Sequence, residues 1–153
     1  MRLIRFERKI VMNAPTKPFV FSADSHIMEL PDFLIDHVEA AYRDRTPKVP
    51  VPTTGTLANL MDEARDRRGH PDVKVAEMVA LGDELISGPK GYMALGAFNP
   101  AERRQALDQL GFKKQLVFAT FSAGMTFRAD LADDERYARA RAHNRGMAEF
   151  CAA

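Results

Sequence analysis

An acidic and a basic side chain two residues apart are the clearest candidates for chemistry in this sequence. Asp24 and His26 follow an apolar run at residues 19–23 that is typical of a buried strand. In an extended backbone residues i and i+2 leave the same face, so the two side chains should converge while Ser25 leaves the other face. A carboxylate oxygen and an imidazole nitrogen are ordinary zinc ligands at about 2.0–2.2 Å. Asp24 and His26 are therefore candidate metal ligands, although on spacing alone such a pair is more often a structural hydrogen-bonded pair.

Other titratable side chains give weaker signals. Glu29 and Asp32 lie at the junction between the predicted strand and the next helix, where acids either approach a metal or cap a helix, and capping is the favoured interpretation. The remaining histidines are His37 on a predicted helix, His70 in a loop flanked by Gly and Pro, and His143 on a predicted C-terminal helix. None of them is assigned as a ligand, and no catalytic acid or base is identified.

The best-defined helix is predicted over residues 100–110 from its capping signals. Asn99 is a suitable cap, Pro100 suits the first helical position, and Glu102 is placed to reach back to the cap. Gly111 suits the exit from the helix.

The order of elements predicts an α/β fold with parallel strands. A second apolar run at residues 115–120 follows the helix, and a further helix is expected over residues 32–43. Residues 44–99 form a loop and helix excursion that should lie outside the sheet. A strand, a long crossover and another strand imply parallel pairing of residues 19–23 with 115–120, with the 100–110 helix packed against them.

A final helix is predicted from residue 133 to the end of the sequence. Acidic residues begin this segment and basic residues follow them, which is the order of charges that the helix dipole stabilises. Helical spacing places five residues on one face that we expect to be buried: Tyr137, Ala140, Asn144, Met147 and Cys151.

Composition indicates one ordinary soluble domain over residues 1–153. The chain is 46% hydrophobic and 28% charged, and its net charge of +1 gives no electrostatic case for nucleic acid or an anionic membrane. Charged residues interrupt the N-terminal segment too often for a signal peptide, and no window is apolar enough for a transmembrane helix. The single Cys151 fits a reducing compartment, so a cytoplasmic location is expected.

Three stretches resemble the amidohydrolase-related family of metal-dependent hydrolases and decarboxylases, which includes aminocarboxymuconate-semialdehyde decarboxylase. The run FSADSHIMELPDFLIDHVEAAYRDRTPKV is similar to the start of that family, where a strand ends in Asp-Ser-His. Residues 102–120 resemble the family's helix and second strand, and residues 131–151 resemble the helix that follows. Together the matching stretches cover about half of the chain in the family's order.

The resemblance implies the N-terminal portion of a (β/α)8 barrel in which Asp24 and His26 hold a divalent ion, with zinc as the expected metal. It implies hydrolysis or nonoxidative decarboxylation of a small carboxylic or carbonyl substrate. Family members take further ligands, typically a His from a middle strand and an Asp from a late strand. A complete barrel takes about 250 residues, so the 153-residue chain is expected to be a partial domain whose isolated activity is absent.

A second hypothesis comes from another functional class. Two parallel strands alone leave open edges and unburied faces. The chain would then be a truncated, catalytically inactive remnant that binds a partner or associates with itself.

Overall fold

The computed structural model describes residues 20–50 and 91–152, together with isolated positions at 54, 58–59, 62–63, 66, 80–81 and 84. Residue 19 of the first predicted strand, the N-terminal segment, His70 and most of the predicted excursion lie outside the described residues.

Two parallel strands form one sheet in the described part of the chain. Strand β1 spans Val20–Ile27 and strand β2 spans Phe112–Ala119, and they pair directly. The register places His26 opposite Phe118 and Ile27 opposite Ala119, so both strands end at the same edge of the sheet. The predicted α/β class and the predicted parallel pairing are confirmed.

Both strands extend beyond their predicted bounds. Strand β1 continues through Asp24 and His26 instead of ending at residue 23, and β2 begins at Phe112 instead of residue 115. The register is irregular between Ser22 and Ser25. An irregularity of this kind bends a strand and redirects its side chains. It includes Asp24, the first of the two predicted metal ligands, and ends just before His26.

The described residues also form α-helices and 3₁₀ helices. The α-helices are α1 (Phe33–His37), α2 (Pro100–Leu110), α3 (Ser122–Thr126) and α4 (Asp133–Cys151), and 3₁₀ helices span Ala40–Arg45 and Gly91–Met93. None of the helices in the described ranges is long and apolar enough to cross a membrane.

Helix α1 is shorter than the predicted helix over residues 32–43. Val38 adopts extended backbone angles of φ −80° and ψ 152°, and the chain resumes as a 3₁₀ helix two residues later. The break buries the Val38 side chain and directs the carboxylate of Glu39 to Arg141 and Arg145 of α4. Contacts with α4 therefore override the local helical pattern.

Helix α2 has the predicted bounds and most of the predicted caps. The side-chain oxygen of Asn99 accepts hydrogen bonds from the backbone N–H groups of Ala101 and Glu102, and Gly111 adopts a φ of 72°. Glu102 does not reach back to the cap as predicted. Its carboxylate is buried and instead accepts a hydrogen bond from the backbone N–H of Gly96 at 3.1 Å.

Helix α4 confirms the predicted C-terminal helix but buries a different face. Tyr137, Asn144 and Cys151 are exposed, so the predicted apolar face is wrong. The buried positions are Ala138, Arg139, Ala142, Gly146 and Phe150. Mostly small residues lie at this contact because helix α1 approaches closely, and a small residue admits a neighbouring side chain where a large one would collide.

The two faces of the sheet have different environments. On β2, Gln115 and Val117 face a cleft that is also lined by Arg103 and Leu107 of α2. Leu116 and Phe118 alternate with these residues along β2 and therefore belong to the other face. Their side chains are 57% and 43% exposed. The described helices therefore cover one face of the sheet and leave the other open.

Candidate metal site and the strand edge

Asp24 and His26 come together on strand β1 as the spacing predicts. Nε2 of His26 lies 3.3 Å from Oδ1 of Asp24, and the two side chains are 48% and 89% exposed. Ser25, between them, is buried on the opposite side of the strand. The carboxylate and the imidazole thus share one open face and remain accessible to an ion and to additional ligands.

An apolar surface adjoins this pair. The imidazole of His26 lies beside the ring of Phe118 on β2, with ring centroids 5.8 Å apart and planes tilted by 39°. The backbone carbonyl of His26 accepts a hydrogen bond from the guanidinium of Arg103 on the covered side of the sheet. Packing on one side and a hydrogen bond on the other therefore hold the position of His26.

The pair has the donor chemistry of a metal site but lacks a full ligand set. Carboxylate oxygen and imidazole nitrogen fit zinc, which takes at least three protein ligands in catalytic sites. Within residues 20–50, 91–152 and the isolated positions, no group of three or more His, Cys, Asp or Glu side chains could hold a metal ion. Asp24 and His26 are at most a part of such a site.

Glu29 forms a buried cap. Its side chain is only 1% exposed. The carboxylate accepts hydrogen bonds from the backbone N–H groups of Thr120, Phe121 and Ser122 at 2.8–3.2 Å, and from the Ser122 hydroxyl at 2.7 Å. These donors satisfy its oxygens, so Glu29 is not available as a ligand. The predicted capping role applies, but to helix α3 and not to the helix that follows Glu29 in sequence.

The Glu29 cap ties the carboxyl ends of the two strands together. The hydroxyl of Thr120, directly after β2, donates to the backbone carbonyl of Ile27 at the end of β1. The hydroxyl of Tyr92 donates to the backbone carbonyl of Glu29 at 2.9 Å. Burial, followed by the charge of Glu29, raises the pKa of Tyr92 to about 12, so this hydroxyl remains a donor. Asp32, the other acid in this region, occupies the N-cap position of α1 without a side-chain capping bond.

His143 extends the buried polar network to helix α4. Its Nδ1 lies 2.9 Å from the hydroxyl oxygen of Ser122. Because that hydroxyl donates its proton to Glu29, the nitrogen of His143 must be the donor in the second contact. Burial lowers the pKa of His143, and the charge of Glu29 opposes this effect only in part. His143 therefore has a structural role, and sequence spacing gave no sign of its link to Glu29.

His37 likewise has a structural role. Its ring contacts the backbone carbonyl of Phe33 and the carboxylate of Glu149 on α4. Both ring nitrogens are thus engaged within the fold. Neither His37 nor His143 joins Asp24 and His26.

Comparisons of the chain with protein-family models, curated proteins and solved structures gave no match.

Proposed function

We propose that these residues form the first two strand–helix units of an amidohydrolase-like (β/α)8 barrel, in which Asp24 and His26 supply two ligands to a divalent ion. Zinc is the metal that this donor pair fits. The observation that carries the proposal is the convergence of both side chains on the open face of β1, next to the carboxyl end of the sheet.

The arrangement of the layers supports a barrel. In a (β/α)8 barrel the strands are parallel, helices cover the outer face, and alternate side chains fill the interior. Strands β1 and β2 are parallel, α2 covers one face, and Leu116 and Phe118 are exposed on the other. The open face then corresponds to the barrel interior, and its carboxyl end corresponds to the place where barrel enzymes bind substrate.

The chemistry follows from the ligands. A bound divalent ion polarises a carbonyl or carboxylate oxygen and lowers the pKa of a coordinated water. Asp24 and His26 would hold the ion, while Arg103 fixes the backbone of His26 from behind and Phe118 supplies an apolar wall. A metal ion held beside an apolar wall suits hydrolysis or nonoxidative decarboxylation of a small carboxylic or carbonyl compound. We place this reaction in the cytoplasm. No general acid or base for that chemistry is assigned.

Zinc retention tests the proposed ligands. After equilibrium dialysis, elemental analysis of the wild-type chain should find clearly less than one equivalent of zinc, because two ligands are too few for tight binding. Asp24→Asn and His26→Gln should each remove most of the retained zinc. Asp44→Asn and His37→Gln are matched controls that change the same residue types elsewhere and should retain the wild-type amount.

Two results would contradict this assignment. Equal retention by the wild type and the Asp24 and His26 variants would show that zinc binds elsewhere. A full equivalent in the wild type would show that further ligands exist within the chain.

The second candidate function is a catalytically inactive module that associates with itself. It is favoured by the exposed side chains of Phe21, Leu116 and Phe118 on the two strands. In the described residues each strand also has one edge without a strand partner. Unpaired edges and contiguous apolar surface are features that monomers usually avoid.

A further inference from the structure

A cleft on the covered side of the sheet carries two arginines, Arg103 and Arg104. It lies where helix α2, strand β2 and the end of helix α4 meet, on the other face of the sheet from Asp24 and His26. Apolar side chains line it, namely those of Pro100, Leu107, Val117 and Phe150. None of the described residues that line the cleft is acidic. The cleft therefore combines positive charge with an apolar surface.

Arg103 is a partly buried cation whose described partners are all uncharged acceptors or an aromatic ring. One terminal nitrogen donates to the side-chain oxygen of Gln115 at 3.3 Å, and the other donates to the backbone carbonyl of His26. A guanidinium has five N–H hydrogens, and these contacts use two of them. The buried Nε has no hydrogen-bond acceptor in the described part of the chain. Arg103 thus retains donors that its own fold does not use.

No carboxylate among the described residues offsets the burial of this charge. Burial lowers the pKa of Arg103, and the only described group that opposes the shift is Cys151 in its thiolate form. The guanidinium still remains protonated at neutral pH. Its Cζ lies 5.5 Å from the ring centroid of Phe150, a contact that stabilises a cation without neutralising it. Buried charges in proteins are ordinarily paired, so Arg103 is suited to an anion from outside the chain.

Arg104 adds a second positive charge to the same cleft. Its side chain is exposed and makes no ion pair with the described acidic residues. A carboxylate can accept two parallel hydrogen bonds from one guanidinium. Apolar walls, in turn, favour a ligand with a hydrocarbon or aromatic body. Both features together fit an organic carboxylate better than an inorganic anion.

We propose that this cleft binds a small organic carboxylate, with Arg103 and Arg104 holding the carboxylate group and the apolar side chains contacting the rest of the ligand. The site is distinct from the candidate metal site because the two lie on opposite faces of the sheet. Arg103 nevertheless connects them, since it also donates to the backbone carbonyl of His26. A ligand in the cleft therefore engages the side chain that holds the backbone of His26.

Alkylation of Cys151 reports on occupancy of the cleft. Cys151 is the only cysteine in the sequence, is exposed and lines the cleft. The reagent is iodoacetamide, which is uncharged, and EDTA is present so that no metal ion contributes. Saturating 4-phenylbutanoate should slow alkylation of the wild type about fivefold. The uncharged analogue 4-phenylbutanamide should need a concentration about tenfold higher for the same protection, because hydrogen bonds between charged groups are stronger.

Arginine variants locate the bound carboxylate. Arg104→Gln should raise the concentration of 4-phenylbutanoate that gives half-protection about fivefold, and Arg103→Gln should raise it further. Arg103→Gln also removes contacts that support the fold, so Arg104→Gln keeps the test decisive if that variant does not fold. Arg43→Gln changes an exposed arginine outside the cleft and is the matched control, with half-protection expected at the wild-type concentration.

Three results would overturn the proposal. Equal protection by the carboxylate and the amide would show that the arginines do not bind the ligand, and absence of protection by 4-phenylbutanoate would show that the cleft does not bind it. Protection by inorganic phosphate at the same concentration as 4-phenylbutanoate would show that the apolar walls contribute nothing. Failure of the zinc assignment would leave these measurements unchanged, because they are made without metal ions.

Discussion

Glu29 is the residue on which the geometry of the strand edge depends most. Its buried carboxylate accepts hydrogen bonds from three consecutive backbone N–H groups and from the Ser122 hydroxyl. Hydrogen bonds to a buried charged group are stronger than neutral ones, and unpaired buried donors are costly. One side chain thus holds the segment that follows β2 against the end of β1.

Replacing Glu29 should destabilise the fold strongly. Glu29→Ala leaves several buried donors unpaired and should lower the free energy of unfolding by about 3 kcal/mol. Glu29→Gln should cost less because its amide oxygen still accepts. Urea denaturation measures both, with Asp32→Asn as the control, since Asp32 makes no side-chain capping bond. A Glu29→Ala variant as stable as that control would refute the role of the cap.

Residue-level prediction succeeded where local geometry was sufficient. The convergence of Asp24 and His26 followed from the two-residue period of a strand. The partners of Glu29 lie 91 to 93 residues away in sequence, and no local pattern connects them. Spacing could indicate that Glu29 caps a helix but not which helix.

At the scale of elements, the contact between α1 and α4 depends on a glycine. A Cβ atom added at Gly146 would lie 2.5 Å from Cζ of the Phe33 ring. Real side chains do not tolerate that distance, so Phe33 or the helix would have to move. The absence of a side chain at Gly146 thus permits the close approach of the two helices.

Gly146→Ala should therefore destabilise the protein despite a better helix propensity. Alanine in a helix interior ordinarily gains about 1 kcal/mol over glycine, but a forced shift of packed groups costs about 1–3 kcal/mol. We expect a net loss in urea denaturation, relieved when Phe33→Leu is added. Gly124→Ala in α3 is the matched control because its new Cβ meets nothing within 4 Å. Equal stability of the two alanine variants would contradict the contact.

Element bounds were predictable where capping residues determine them. Helix α2 begins and ends as Asn99 and Gly111 indicate. Helix α1 ends early because contacts of Glu39 with α4 favour an extended backbone there, and such contacts leave no local sequence signal. The buried face of α4 was predicted wrongly because helical spacing favoured Tyr137 and Met147, whereas close packing selects small residues.

At the scale of the whole molecule, we expect the open face of the sheet to determine whether the chain associates with itself in solution. The alternation of strand and helix was enough to predict a parallel α/β layer. It did not specify what covers the second face, since that depends on groups distant in sequence or on another chain. Leu116 and Phe118 therefore remain exposed beside the candidate ligands.

The isolated chain should self-associate through this face. Light scattering coupled to size-exclusion chromatography should show a mass above 17.1 kDa that decreases on dilution. Leu116→Lys combined with Phe21→Lys should shift the chain to the monomer. Phe127→Ser is the control because Phe127 is 76% exposed but lies after α3, outside the sheet. A wild type that remains monomeric throughout the dilution series would contradict self-association.

The location of a bound ion tests the proposed metal chemistry most directly. In a titration of the wild-type chain with Mn²⁺, NMR line broadening should appear first at the His26 ring and at the backbone amides of Asp24 and Ser25. Broadening should then extend to Phe118, whose ring lies beside His26. His26→Gln should abolish this selective broadening. Broadening that appears first at His37 or His143, or that persists in His26→Gln, would contradict a metal site built on Asp24 and His26.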